Sequence, residues 1–74
     1  MTLTRTALND LRELLHGDLL ATWFARSNTV ALIDAGYARS IDRPAPKPMR
    51  GVRTFLTITD AGRELLAAEA RRAG

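Results

Sequence analysis

The stretch Val52-Arg53-Thr54-Phe55-Leu56-Thr57-Ile58-Thr59-Asp60-Ala61-Gly62-Arg63-Glu64-Leu65-Leu66 changes its hydrophobic period halfway along. Up to Ile58 the period is two: Val52, Thr54, Leu56 and Ile58 alternate with Arg53, Phe55 and Thr57, as in a strand with one buried face. From Thr59 or Asp60 onward it becomes helical to about Arg72, with Ala61, Leu65, Leu66 and Ala68 as the apolar stripe. Asp60 and Glu64 fall near the positive end of that helix and Arg71 and Arg72 near its negative end, as the helix dipole prefers. A strand that runs directly into a helix fixes the C-terminal half of the domain.

Immediately upstream, Arg43-Pro44-Ala45-Pro46-Lys47-Pro48-Met49-Arg50-Gly51 holds all three prolines of the chain. It can form neither a helix nor a central strand and reads as a stiff loop. Before it, Tyr37-Ala38-Arg39-Ser40-Ile41 is a short strand candidate, expected to pair antiparallel with Val52–Ile58 around a tip at residues 43–51. Further back, Ser27 is the expected N-cap of a helix over residues 28–35 ended by Gly36, anchored inward by Val30, Ile33 and Leu32. Residues 18–25 read two ways. Asp18 could cap a short helix with Leu19, Leu20, Trp23 and Phe24 inward, or the run could be extended, since Thr, Trp and Phe favour strands. In either case Trp23 is expected in the core, ahead of a surface stacking role. The first helix spans residues 6–16, with Ala7, Leu8, Leu11, Leu14 and Leu15 on one face, Thr4 or Thr6 at its start and Gly17 at its end. His16 in its last turn suits the dipole. The expected core is Leu11, Leu14, Leu15, Trp23, Val30, Ile33, Leu56, Ile58, Leu65 and Leu66.

This order, with helices and strands in separate stretches, is an α+β domain of winged-helix form spanning residues 1–74: three helices plus a two- or three-stranded antiparallel wing sheet. At 74 residues it is a single domain with a thin core. The charge is unevenly placed. Between residues 39 and 53, Arg39, Arg43, Lys47, Arg50 and Arg53 face the single acid Asp42, a net +4. The other residues carry six arginines and seven acids, a net −1, so the chain's overall +3 resides in the proline loop and its flanks. A localised basic segment on a near-neutral body fits a polyanion. The competing interpretation is a solubilising loop.

Composition narrows the chemistry. With no cysteine and one histidine, the chain has no disulfide framework, thiolate zinc site or cysteine nucleophile, and no metal or cofactor is expected. There is no glycine-rich phosphate loop and no nucleophile with a base beside it. Asp10 with Glu13, and Asp60 with Glu64, lie at helical spacing, but Arg12 and Arg63 beside them make solvated helix faces. An enzyme is not expected. No apolar run is long enough to span a membrane. Met1-Thr2-Leu3-Thr4-Arg5 lacks the apolar centre of a signal peptide, so the expected location is cytoplasmic.

Two segments resemble winged helix-turn-helix regulators of the multiple-antibiotic-resistance-regulator (MarR) type and related small bacterial and phage proteins. Val30-Ala31-Leu32-Ile33-Asp34-Ala35-Gly36-Tyr37 is similar to the end of their recognition helix and the start of the next strand. Leu56-Thr57-Ile58-Thr59-Asp60-Ala61-Gly62-Arg63-Glu64-Leu65-Leu66 resembles the segment that closes their wing. The resemblance covers roughly residues 27–72. It implies that Thr59 caps the last helix and that Gly62 lets this helix lie close to the sheet. It also implies a transcriptional regulator that binds double-stranded DNA through a recognition helix and a wing. The residues expected at DNA are Arg26, Ser27, Asn28 and Thr29 in the major groove, and Arg39, Arg43, Lys47, Arg50 and Arg53 at the backbone or minor groove. Two features depart from the family pattern. Only about ten residues separate Gly17 from Ser27, and the recognition helix lacks a series of Arg, Lys or Gln, with Asp34 near its end. The wing's +4 favours DNA, whereas the weak recognition helix favours the alternative, a winged-helix module that binds a protein through the proline loop or an apolar face. A homodimer would have to use the first or last helix, at Leu3 or the face of residues 66–70.

Overall fold

The computed structural model describes residues 3–73. Helix α1 (Arg5–Leu14) leads into strand β1 (Leu19–Leu20), a 3-10 turn (Ala21–Trp23), helix α2 (Arg26–Asp34), strands β2 (Ala38–Pro44) and β3 (Val52–Ile58), and helix α3 (Asp60–Ala73). The strands form one antiparallel sheet in the order β1-β3-β2. Three helices around a three-stranded antiparallel sheet of this order make an α+β fold of the winged-helix kind. The sheet's inner face is set by register: Leu19 and Ser40 flank Leu56, and Ala38 lies opposite Ile58. Helix α1 packs against α2, β3 and α3. Together these elements bury Leu11, Leu14, Leu32, Ala38, Leu56, Ile58 and Leu66, with Leu3, Leu8, Leu19, Ala21, Phe24, Tyr37 and Leu65 packed around them.

Helix α1 begins where Thr4 Oγ1 accepts the Ala7 N–H at 3.1 Å, a side-chain N-cap. It ends two residues earlier than the apolar spacing suggests. Leu15, His16 and Gly17 bond back three residues to Arg12, Glu13 and Leu14, tightening the last turn. Leu15 is thereby turned outward and left half exposed.

Residues 18–25 adopt parts of both readings, two residues of strand and then one 3-10 turn. With three residues per turn, Ala21 and Phe24 share the inward side. Trp23 therefore points away from the core and is 76% exposed, contrary to the sequence expectation.

Helix α2 also differs from expectation. Its N-cap is Ala25, without a side-chain cap, and Ser27 lies in the first turn rather than before it. The helix is also rotated about its axis. Asn28 Nδ2 donates to Asp10 Oδ2 of α1 at 2.8 Å, turning Asn28 and, one turn on, Leu32 toward the body. Leu32 is the helix's one fully buried side chain, whereas Val30 and Ile33 are 47% and 37% exposed.

The end of α2 is a Schellman turn. Tyr37 N–H bonds to the Leu32 carbonyl at 2.9 Å and Gly36 N–H to that of Ile33 at 3.0 Å, with Gly36 at φ +82°. The hairpin that follows is longer than residues 37–41 alone indicate, and its tip is correspondingly shorter, at residues 45–51. Pro44 can pair with Val52 because β2 is an edge strand. Ala45 N–H closes the tip onto the Gly51 carbonyl at 2.8 Å.

The β3–α3 junction is closely packed. Thr59 Oγ1 donates to the Gly36 carbonyl at 2.6 Å and accepts the Gly62 N–H at 3.1 Å. Thr59 N–H bonds to the Tyr37 carbonyl at 3.0 Å. Gly62 is buried against that same carbonyl: a Cβ there would collide with Tyr37 O and stand 2.8 Å from Ile58 Cγ1. Along α3 itself, Ala61 and Ala68 are exposed, and the inward set reduces to Gly62, Leu65 and Leu66.

Candidate nucleic-acid interface

The cationic side chains follow from the register of the hairpin. Arg39 lies opposite Thr57, Ile41 opposite Phe55, and Arg43 opposite Arg53, all on the sheet face away from the core. Lys47 and Arg50 belong to the tip. All five cations are exposed, and from Asp42 and Thr54 outward every residue of both strands is exposed as well. The hairpin thus extends past the helices in a molecule measuring 42 × 21 × 17 Å.

Two like charges directly opposite each other destabilise a ladder. The Arg43–Arg53 pair is relieved on one side, because Arg43 Nη1 donates to Asp18 Oδ2 at 2.8 Å. Asp18, a helix cap in one of the two readings of residues 18–25, instead holds Arg43 of the wing. Thr54 Oγ1 donates to Asp42 Oδ1 across the strands at 3.1 Å, which occupies the only acid of the basic segment. Among the described residues, Arg39, Lys47, Arg50 and Arg53 form no ion pair. Arg39 stands apart from the others, at the body end of β2, in a depression shared with Thr57, Thr59, Asp60 and Arg63. Arg63 is partly engaged there by Asp60 at 3.3 Å.

The first turn of α2 meets the wing across an open cleft of about 590 Å³ lined by Ala21, Thr22, Phe24, Arg26, Thr29 and Thr54. Among the described residues, Thr29 Oγ1 is buried without a hydrogen-bond partner. A second cleft of about 320 Å³ shares Ala21, Thr22 and Thr54 and continues to Met49, Val52 and Arg53. The structure therefore brings Arg26 and Thr29 to one edge of a continuous groove and Arg53 to its other end. Ser27 is exposed on the first turn of α2. Asn28 is half buried, with its amide committed to Asp10.

The Asp10–Asn28 and Asp18–Arg43 contacts, whose partners are 18 and 25 residues apart, have no local signature. The threonines of the groove were equally silent, since Thr22 and Thr54 become neighbours only through the β1–β3 pairing. Among the described residues, no group of three or more His, Cys, Asp or Glu side chains is placed to hold a metal ion. No helix among them is long and apolar enough to cross a membrane. Comparison with protein-family models, curated proteins and solved structures finds no match to this chain.

Proposed function

We propose that the protein binds double-stranded DNA as a transcriptional regulator of bacterial or phage type, with α2 in the major groove and the β2–β3 hairpin against the backbone. One observation carries this reading: the whole positive excess of the chain lies on an exposed hairpin joined by a groove to the first turn of a short helix. Exposed cations without intramolecular partners give up the least to meet phosphates, and phosphate contacts supply most non-specific affinity. Lys47, Arg50 and Arg53 take that role first, and Arg43 joins them once it leaves Asp18. Arg39, at the body end of the sheet, would meet a more distant phosphate. Arg26 and Ser27 are the polar groups free to reach base edges, whereas Asn28 holds α2 to α1 and the Thr29 hydroxyl is buried.

A salt titration of binding to a random-sequence 20-base-pair duplex tests the proposal. Four phosphate contacts, from the unpaired cations Arg39, Lys47, Arg50 and Arg53, predict a slope of log affinity against log salt near −3.6, at about −0.9 per contact, with Arg43 taking it toward about −4.5 once it leaves Asp18. Absence of binding tighter than roughly 10⁻⁴ M at about 50 mM salt overturns it.

The protein-module reading draws on a different observation, the exposure of Val52 and Met49 in the second cleft and of Trp23, which follows Thr22 of that cleft in the chain. Under that reading, neutralising the wing leaves duplex binding flat, and Trp23→Ala weakens association with the partner instead.

A further inference from the structure

The exposed residues of α2 are Arg26, Ser27, Val30, Ile33 and Asp34. Their spacing is i, i+1, i+4, i+7, i+8, which is one continuous helix face. The Asp10–Asn28 bond and the burial of Leu32 fix the rotation that turns this face outward. A short helix in so small a core would ordinarily bury its β-branched apolar residues. Here Val30 and Ile33 are displayed between a cation at the N-terminal end and an acid at the C-terminal end.

We infer that this face reads thymine: Val30, with Ile33 one turn on, packs against the 5-methyl groups that thymines project into the major groove. The inference rests on the DNA-binding reading above and adds the base it recognises. Apolar side chains on a reading helix have one specific partner at base edges, the thymine methyl, since every other major-groove feature is a hydrogen-bonding group. The spacing fits. Val30 lies about 6 Å along the helix axis from Arg26, close to two base-pair steps of 3.4 Å, and Ile33 adds about 4.5 Å. Asp34 at the far end repels the backbone, so the N-terminal half of α2, with Arg26 and Val30, enters the groove, the usual pose of a recognition helix. The strongly basic wing beside α2 selects duplex DNA over an apolar protein surface as the occupant.

The test uses the intact protein at about 50 mM salt and three alternating duplexes: dA-dT, dA-dU, which differs only in lacking the methyl groups, and dG-dC. Burial of one methyl corresponds to about a four-fold gain in affinity, so the dA-dT duplex should bind about four-fold tighter than dA-dU for each methyl contacted. Val30→Ala, at an exposed helical position that alanine suits, should lower affinity for dA-dT toward that for dA-dU and so abolish most of that preference. Ile33→Ala should remove the remainder. Equal binding of dA-dT and dA-dU by the intact protein overturns the inference and leaves DNA binding standing. A preference that survives in Val30→Ala assigns it to groove shape rather than to methyl contact and also overturns it. A change of oligomeric state in Val30→Ala, read by sedimentation, would give the face to a second copy of the chain and overturn it too. Binding to none of the three duplexes removes both readings.

Discussion

Replacing Gly62 by alanine should destabilise this protein, against the ordinary sign for a helical glycine. In a helix interior the exchange gains up to about 1 kcal/mol from reduced backbone entropy and better propensity. At Gly62, in the first turn of α3, the added Cβ would collide with the Tyr37 carbonyl oxygen and stand 2.8 Å from Ile58 Cγ1 and 3.2 Å from the Tyr37 carbonyl carbon. Two of these three atoms are backbone and cannot swing aside, so α3 itself must move. Overpacking of this kind costs about 1–3 kcal/mol. A shift of α3 also loosens the bond from Thr59 N–H to that same carbonyl, worth about 1 kcal/mol. Offsetting the propensity gain leaves a net loss of about 1–3 kcal/mol, which for a domain of this size lowers the midpoint of thermal unfolding by roughly 4 °C or more. Urea and thermal melts monitored by circular dichroism measure it. Ala61→Gly, at the exposed neighbouring position, serves as the control and should cost about 1 kcal/mol or less. A Gly62→Ala variant as stable as the parent, or more stable, would refute the close approach of α3 to Tyr37.

Leu32→Ala should cost about 2–5 kcal/mol, whereas Ile33→Ala next to it and Trp23→Ala should each cost under about 1 kcal/mol, a contrast that urea melts resolve and that for Ile33 and Trp23 reverses the expectation from sequence. Asp18→Asn releases Arg43 from its clamp, so duplex binding should tighten and its salt slope steepen by up to about 0.9, with stability changed by less than about 1 kcal/mol because the pair is partly exposed; an unchanged slope would mean that Arg43 does not meet phosphate. Asn28→Ala should cost about 1–3 kcal/mol of stability and weaken all duplexes alike, and a double-mutant cycle with Asp10→Ala should show coupling of at least about 0.5 kcal/mol; additive changes, with a loss confined to one preferred site, would make Asn28 a base reader instead.

What could be read from the sequence was what neighbouring residues decide among themselves. The period change at Ile58 and Thr59, the antiparallel hairpin, and the ends of α2 at Gly36 and of β3 at Ile58 are local matters of alternation, capping and glycine placement. So was the tight β3–α3 junction at Thr59 and Gly62, which the family resemblance implied and the hydrogen bonds and packing there display. The rotation of α2 was not local. Val30, Ala31, Leu32 and Ile33 are four consecutive apolar residues, so the helix presents apolar side chains to every direction and its own pattern does not choose an inward face. The choice is made by Asp10, 18 residues away, and by the room available for Leu32. Trp23 was misplaced for a related reason. Its size argued for burial, but one 3-10 turn has only two inward positions, and Ala21 and Phe24 fill them. For the candidate interface, the cations were visible as a charge cluster, but their division was not: Arg39 at the body end, Arg43 clamped, and Lys47, Arg50 and Arg53 unpaired.

These contacts tie the β3–α3 junction to the face that α2 presents. Near its start, α2 is held by Asn28 on Asp10. At its C-terminal end it is held by the Gly36 and Tyr37 carbonyls, both of which accept from Thr59, and by the seating of Tyr37 O against Gly62. The same Thr59 ends the strand whose outer half is the wing, so the helix and the wing are fixed relative to each other by one residue at the base of the sheet. A nine-residue helix held at both ends has little freedom to roll, and a roll of one residue, about 100°, would replace Val30 and Ile33 on the outward side by Thr29 and Leu32 in one direction or by Ala31 and Asp34 in the other. Thr59→Ala therefore separates positioning from contact. It removes the hydroxyl that donates to Gly36 and caps α3, at a cost of about 1–2 kcal/mol, and it leaves every cation and every outward residue of α2 in place. If α2 and the wing act as one rigid reader, binding to the random duplex should keep its salt slope while the preference for dA-dT over dA-dU falls. If the slope drops along with the preference, the wing has moved too, and Thr59 holds the hairpin rather than the helix.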